Sequence, residues 1–210
     1  MIAIIDYGVG NLFSLRSSFE FIGEQVVVTR DTAELRRADR LILPGVGAFE
    51  DAARKLAETG MRDAVLSEAA SGKPLLGICL GMQMLFDRSF EYGEHVGLGL
   101  ISGDVSPISP LIASDFKIPH IGWNALHFPA DRPKNALLKY VNEGDHVYFV
   151  HSFAAMRSGT GDVAPDAIAT TEYGTELTAA VACGNVYGTQ FHPEKSGDVG
   201  LSILRAFCEV

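Results

Sequence analysis

Cysteine is scarce in this sequence: Cys79, Cys183 and Cys208 are the only three among 210 residues. Thiols so few and so scattered build neither a disulfide framework nor a zinc site, and no metal is expected. Basic residues are short as well, 17 Lys and Arg against 26 Asp and Glu, for a net charge of −9. They form no run; Arg36, Arg37 and Arg40 stand isolated among acids. A nucleic-acid backbone is bound by clustered cations, so that class of partner is excluded. Long apolar stretches are missing too. The most apolar uncharged run, Pro74 to Phe86, falls well short of the ~20 residues that cross a bilayer. No positive leader accompanies the brief apolar opening Met1–Ile5, so neither a signal peptide nor a membrane partner is expected. The expectation is a cytoplasmic protein.

What is present is an ordinary globular composition, 47% hydrophobic and 20% charged, which rules out disorder and coiled coil. The length suits a single domain over residues 1–210, burying about 70% of the surface its unfolded chain exposes. The first half alternates short apolar runs with amphipathic ones. Strands are read at Ile2–Ile5, Gln25–Thr29, Arg40–Leu43 and Leu75–Ile78. Between them lie helices: Leu12, Leu15, Phe19 and Ile22 recur at helical spacing, and Asp31 with Glu34 three residues on has a capping-box spacing. Phe49–Glu58, Met61–Ala70 and Leu80–Phe86 complete that set. Strands almost wholly apolar and separated by helices indicate a parallel sheet covered on both faces. From Gly97 the chain turns strand-rich, with runs at Asp104–Ser106, Trp123–His127, His146–Val150, Ala167–Glu172, Thr178–Cys183 and Val186–Phe191. A last helix from Gly197 carries Val199, Ile203 and Phe207 on one stripe. The fold expected is α/β, a mostly parallel mixed sheet flanked by helices, with a strand-rich second half.

Three segments carry chemistry. In Gly77-Ile78-Cys79-Leu80-Gly81 a thiol stands between an apolar strand and a helix. A nucleophile on so tight a turn needs glycine on both sides, and the helix N-terminus beyond it favours a thiolate and an oxyanion. Taken alone, a buried inert cysteine fits this segment equally well. Gln190-Phe191-His192-Pro193-Glu194-Lys195 supplies what a thiol nucleophile wants: an imidazole to take its proton, and a carboxylate two residues on to orient the ring. Pro44-Gly45-Val46-Gly47-Ala48-Phe49, again a strand end entering a helix, offers backbone N–H groups to an oxyanion alongside that of Leu80. It is not a phosphate loop, because no Gly-Lys-Ser/Thr follows. No cofactor fingerprint is present.

Gly77-Ile78-Cys79-Leu80-Gly81-Met82-Gln83 together with Phe191-His192-Pro193-Glu194 resembles the class I (triad) glutamine amidotransferases. More narrowly, the chain is similar to the glutaminase subunits of imidazole glycerol phosphate synthase. That likeness extends to Ile5-Asp6-Tyr7-Gly8-Val9-Gly10-Asn11, the Pro44–Phe49 block, Pro119-His120-Ile121-Gly122-Trp123-Asn124, Tyr148-Phe149-Val150-His151-Ser152-Phe153 and Gly188–Ser196. The resemblance implies Cys79 as nucleophile toward the side-chain amide of glutamine, His192 as base and then acid, and Glu194 holding His192. It implies an oxyanion hole from Val46, Gly47 and Leu80, and substrate contacts by Gln83, Glu91, His151, Ser152 and Phe153. Glu91 also suits glutamine's α-ammonium on simple charge grounds. The implied partner is a cyclase subunit, a (β/α)₈ barrel, faced by Asn11, Trp123, Tyr148 and Lys195. That partner consumes the ammonia and yields imidazole glycerol phosphate and aminoimidazole carboxamide ribotide, in histidine biosynthesis.

Val46 departs from the Pro-Gly-Gly sequence usual in the class. It is β-branched and stiff, so the Gly45–Val46 peptide is expected to turn over before a backbone N–H faces the oxyanion. Ser106–Lys117 and Arg157–Asp166 match no interpretable pattern. Three other readings stay open at this point: the glutaminase partner of a pyridoxal phosphate, anthranilate or purine synthase; a non-catalytic cysteine sensor or chaperone; and a freestanding γ-glutamyl hydrolase.

Overall fold

The computed structural model describes all 210 residues. Its first half runs β1 (Ile2–Ile5), α1 (Leu12–Phe21), β2 (Val26–Thr29), α2 (Thr32–Arg37), β3 (Arg40–Leu43), α3 (Phe49–Glu58), α4 (Met61–Ala70), β4 (Leu75–Ile78) and α5 (Leu80–Gln83). Then come β5 (Phe86–Ser89), β6 (His95–Val96), β7 (Ile101–Pro107), β8 (His120–Ala125), β9 (His146–His151), β10 (Phe153–Met156), β11 (Ala167–Glu172), β12 (Glu176–Cys183), β13 (Val186–Thr189) and α6 (Gly197–Phe207).

Seven strands form the main sheet in the order β11-β12-β13-β4-β3-β1-β2. From β2 to β13 the neighbours are parallel, and β12 and β11 add antiparallel pairs at one edge. Side chains alternate across the central strands. Ala3, Ile5, Leu41, Leu43 and Leu75 pack with Leu35, Phe49, Leu56 and Val65 of α2, α3 and α4. Ile2, Ile4, Ile42, Leu76 and Ile78 pack with Leu15, Phe19, Ile203 and Phe207 of α1 and α6 on the opposite face. Burial on both faces is why these strands read as unbroken apolar runs. The remaining strands form a four-stranded sheet, β10-β7-β5-β6, and an antiparallel pair, β8-β9. No helix is long and apolar enough to cross a membrane.

The helix expected over Leu80–Phe86 is shorter in the structure. Helical geometry ends at Gln83, and Phe86 already belongs to β5. Backbone partners from a distant segment decide this: Leu98 N–H donates to Met84 O at 2.8 Å, and Leu100 N–H to Leu85 O at 2.8 Å. Those carbonyls thereby bind the segment between β6 and β7 rather than a further helical turn. Strands are more numerous than the sequence suggested: β5 and β6 precede Gly97 and β10 follows it, all three unforeseen.

Two glycines fix the approach of α5 to the sheet. A Cβ on Gly81 would stand 1.9 Å from Leu43 O, and one on Gly77 would stand 2.6 Å from Gly81 O. Backbone against backbone cannot give way cheaply. Gly81→Ala is therefore expected to lower unfolding free energy by at least about 3 kcal/mol, measured by urea titration. A loss under about 1 kcal/mol would mean that the turn relaxes freely.

Candidate active site

β4 delivers its chain directly into the turn that carries Cys79. That residue has φ 55° and ψ −112°, a conformation L side chains rarely adopt, costing on the order of 1–3 kcal/mol. It is held there by its own N–H, which donates to Thr189 O of β13 at 2.7 Å. The thiol is 8% exposed and opens onto a cavity of about 290 Å³, at the small end of the range for ligand pockets. α5 has four residues only, so its dipole is slight. What it offers an oxyanion is its first N–H groups, which have no partner inside a helix.

His192 follows β13 and faces the same cavity. Its Nδ1 lies 2.8 Å from Glu194 Oε1 at the start of a 3₁₀ turn, both side chains almost wholly buried. Burial opposes a charge on His192, but the Cys79 sulfur and the Glu194 carboxylate outweigh it and push the imidazole up to about 9. At neutral pH the ring therefore holds a proton between sulfur and carboxylate, available to a leaving group. Cys183 is exposed and Cys208 half-buried. Neither adjoins a His–carboxylate pair, and burial pushes the Cys208 thiol up to about 12. Nor does any group of three or more His, Cys, Asp or Glu gather as a metal-binding set.

The sequence-predicted residues assemble around this cavity. Val46, Gly47 and Leu80 line it, as do Gln83 and Glu91, and His151, Ser152 and Phe153. The loop after β3 is tight at its start: a Cβ on Gly45 would stand 2.6 Å from Gly81 N. Past that point Val46 is 39% exposed, and Gly47, at φ +90°, has open space around it. Gln83 is buried, and its amide nitrogen donates to Phe153 O at 3.0 Å and Gln190 Oε1 at 3.0 Å. Its own oxygen is thereby left to accept from a ligand. Phe153 O also receives His151 Nδ1 at 2.9 Å. Burial holds that imidazole down to about 4, so it is neutral, and its Nε2 lies 3.0 Å from His120 Nδ1.

Trp123, Tyr148 and Lys195 come together outside the cavity. The Trp123 and Tyr148 rings meet edge-on at 6.0 Å, and Lys195 Nζ stands 5.8 Å over the Tyr148 ring. Trp123 is 54% exposed, so it is a surface residue rather than core. The cluster is one hydrogen bond from the triad, since His192 N–H donates to Tyr148 O at 3.0 Å. Asn11 stands at the N-cap of α1, with no capping bond from its side chain.

Two residues had no site role in the sequence reading. Gln190 is fully buried and aims its amide nitrogen at the Cys79 sulfur, 3.9 Å away. Tyr7 is buried beneath the loop after β3 and donates its hydroxyl to Pro44 O at 2.7 Å. Both sit inside motifs already marked, but strand and turn chemistry alone gave no reason to single them out.

The class-I glutamine amidotransferase family model matches residues 3–209. Relatives named imidazole glycerol phosphate synthase subunit HisH align along the whole chain. That of Wolinella succinogenes is 46% identical over 100% of both chains. That of Sulfurimonas denitrificans is 49% identical over 99% of this chain and 97% of the relative. Among solved structures, one described as a glutamine amidotransferase superposes with a TM-score of 0.74 at 20% identity, covering 100% of this chain and 98% of the other. PurLQS from Thermotoga maritima gives 0.71 at 19%, covering 99% and 97%. At such identities these two speak for the fold alone. The chain belongs to the class-I glutamine amidotransferase family, in the group formed by the HisH subunits of imidazole glycerol phosphate synthase.

Proposed function

We propose that this chain hydrolyses glutamine to glutamate and ammonia with a Cys79-His192-Glu194 triad, as the glutaminase subunit of an imidazole glycerol phosphate synthase. One observation carries the reading: Cys79 and His192 open onto one amino-acid-sized cavity, with Glu194 2.8 Å behind the imidazole. The Cys79 sulfur, its proton taken up by the His192 imidazole, attacks the side-chain amide carbon, and the oxygen of the tetrahedral intermediate is met by the Leu80 N–H and a backbone N–H of the Val46–Gly47 stretch. His192 gives its proton to the departing nitrogen. Ammonia leaves, and water then releases glutamate from the thioester, with the imidazole as base. Glu91 takes the substrate's α-ammonium, Gln83 presents its oxygen, and Ser152 with its neighbours lines the carboxylate side.

The Gly45–Val46 peptide turns over to complete the oxyanion hole when partner and ligand are bound. Its freedom is consistent with the exposure of Val46 and the open surroundings of Gly47. The cyclase, a (β/α)₈ barrel, docks over Trp123, Tyr148 and Lys195, close enough to the triad to receive ammonia without release, and Asn11 completes its contact. Trp123→Ala is expected to raise the Kd for that partner at least about tenfold, as loss of an aromatic anchor does. Calorimetric titration reads it, with an unchanged Tm as the control for folding.

The test is glutamate release from glutamine by the purified chain, alone and then with the cyclase and its nucleotide ligand. Strong stimulation by the partner supports the reading. Vigorous hydrolysis by the lone chain would point to a freestanding glutaminase, and silence in both would return the sensor reading.

A further inference from the structure

The loop that shapes the oxyanion wall is tethered at both ends and free in the middle. At its start, Pro44 O accepts the Tyr7 hydroxyl at 2.7 Å, and Gly45 is pressed against the Leu80–Gly81 backbone. At its end the chain enters α3 at Ala48, which has no side chain able to cap the helix. The missing cap comes from elsewhere: Glu91 Oε2 accepts the N–H of Phe49 at 2.5 Å, across 42 positions of sequence. Phe49 N–H is the first of the helix and has no intrahelical acceptor, so this carboxylate is its only partner. Val46 and Gly47 hang between the two tethers.

Glu91 is itself firmly based. Phe90 N–H donates to Val105 O at 2.8 Å, and Glu91 N–H to the buried Ser89 hydroxyl at 3.2 Å. The next residue, Tyr92, turns in the left-handed region at φ 55° and lays its ring edge-on to Phe153 at 6.3 Å. One short segment thus reaches both the start of α3 and Phe153 of the cavity lining. Only one carboxylate oxygen is engaged by Phe49, while Glu91 also lines the cavity.

We propose that Glu91 is a positioning residue for the oxyanion loop as well as a substrate ligand. One of its oxygens anchors the Ala48–Phe49 end of the loop, and the other takes the α-ammonium of glutamine. Substrate binding and the setting of the Val46–Gly47 backbone are thereby joined through a single carboxylate. The second half of this statement rests on the glutaminase reading; the first does not.

Three substitutions in the assembled synthase separate the roles. Glu91→Gln keeps an acceptor for Phe49 N–H and drops the charge. It is expected to raise KM for glutamine at least about tenfold, the effect of losing a charge-assisted hydrogen bond, with kcat within about threefold of wild type. Glu91→Ala drops both, so the same rise in KM comes with a fall in kcat of at least about tenfold. Loss of a helix cap is too small a perturbation to unfold the chain. Glu91→Asp, which keeps the charge but falls short of the helix, gives a second route to the same loss of kcat. Amide hydrogen exchange reads the tether without substrate. Phe49 N–H is expected to stay protected in the wild type and the Gln variant, and to exchange at least about tenfold faster in the Ala and Asp variants. Equal kcat in the Gln and Ala variants, or a Phe49 amide as protected in Glu91→Ala as in wild type, would overturn the positioning role. An unchanged KM in Glu91→Gln, with the exchange result as expected, would instead remove the substrate contact and leave the tether.

Discussion

Cys79→Ala abolishes glutamine-dependent turnover of the assembled synthase, a loss of at least about 10³-fold, and leaves turnover on added ammonium salts at the wild-type rate. The two halves of this expectation come from different parts of the geometry. The thiol is the one cysteine opening onto the cavity that holds His192, and it stands on the strand-to-helix turn, beside the first N–H groups of α5. Alanine removes the sulfur alone. It keeps the Cβ, and the turn stays anchored by the N–H of residue 79 on Thr189 O, so the surface offered to the partner is untouched. A cyclase that needs only ammonia then works as before. Activity measured with glutamine and with ammonium at matched partner occupancy checks it. Parallel loss of both, in a protein that still binds the cyclase, would contradict the division of labour.

Glu194→Gln is expected to lower kcat with glutamine by about 10²- to 10⁴-fold, the range seen when the group orienting a catalytic imidazole is neutralised. The carboxylate does two things. It fixes the ring with Nδ1–H toward Oε1 at 2.8 Å, and with the Cys79 sulfur it holds the imidazole at about 9 against the opposing effect of burial. Without it the imidazole moves toward its ordinary 6.5. The alkaline limb of the kcat/KM profile, where His192 of the free enzyme loses the proton meant for the leaving nitrogen, should therefore fall near pH 9 in wild type and at lower pH in the variant. Stability follows the same sign. A histidine whose folded value is raised contributes stability that is complete below about pH 6.5 and lost as pH rises through about 9. The advantage of wild type over Glu194→Gln in unfolding free energy should thus be larger at about pH 6 than at about pH 9.5, by the part of the raised value that Glu194 rather than Cys79 supplies. An alkaline limb that does not move would deny the carboxylate this role.

The sheet was legible because its strands are buried on both faces. Ile2–Ile5 and Leu75–Ile78 could be read as strands from apolarity alone. The nucleophile turn was legible because steric demand is local: with Leu43 O where a Gly81 Cβ would go, glycine is forced, and the forced residue shows in the sequence. β5 was not legible. Phe86-Asp87-Arg88-Ser89 has no strand pattern, and the apolar run before it resembles a helix. Its conformation is set by pairing with β6 and β7 and by the N–H groups of Gly97 and Gly99, which donate to Asp87 O and Phe86 O, none of them local. The cap on α3 was hidden for a similar reason. Ala48 shows only that its helix lacks a cap of its own; that Glu91 provides one depends on the path of the intervening chain. Gln190 and Tyr7 belong to this second kind as well, since their partners Cys79 and Pro44 lie 111 and 37 positions away.

The most direct test of the central claim is isotopic. The assembled synthase is given glutamine labelled with ¹⁵N in the side-chain amide, in a medium containing unlabelled ammonium, and the imidazole product is analysed by mass spectrometry. If the triad releases ammonia into the partner, the product carries the label undiluted by the medium, and Cys79→Ala yields unlabelled product only. Label diluted to the isotopic ratio of the medium, or retained in the Cys79 variant, would contradict the account.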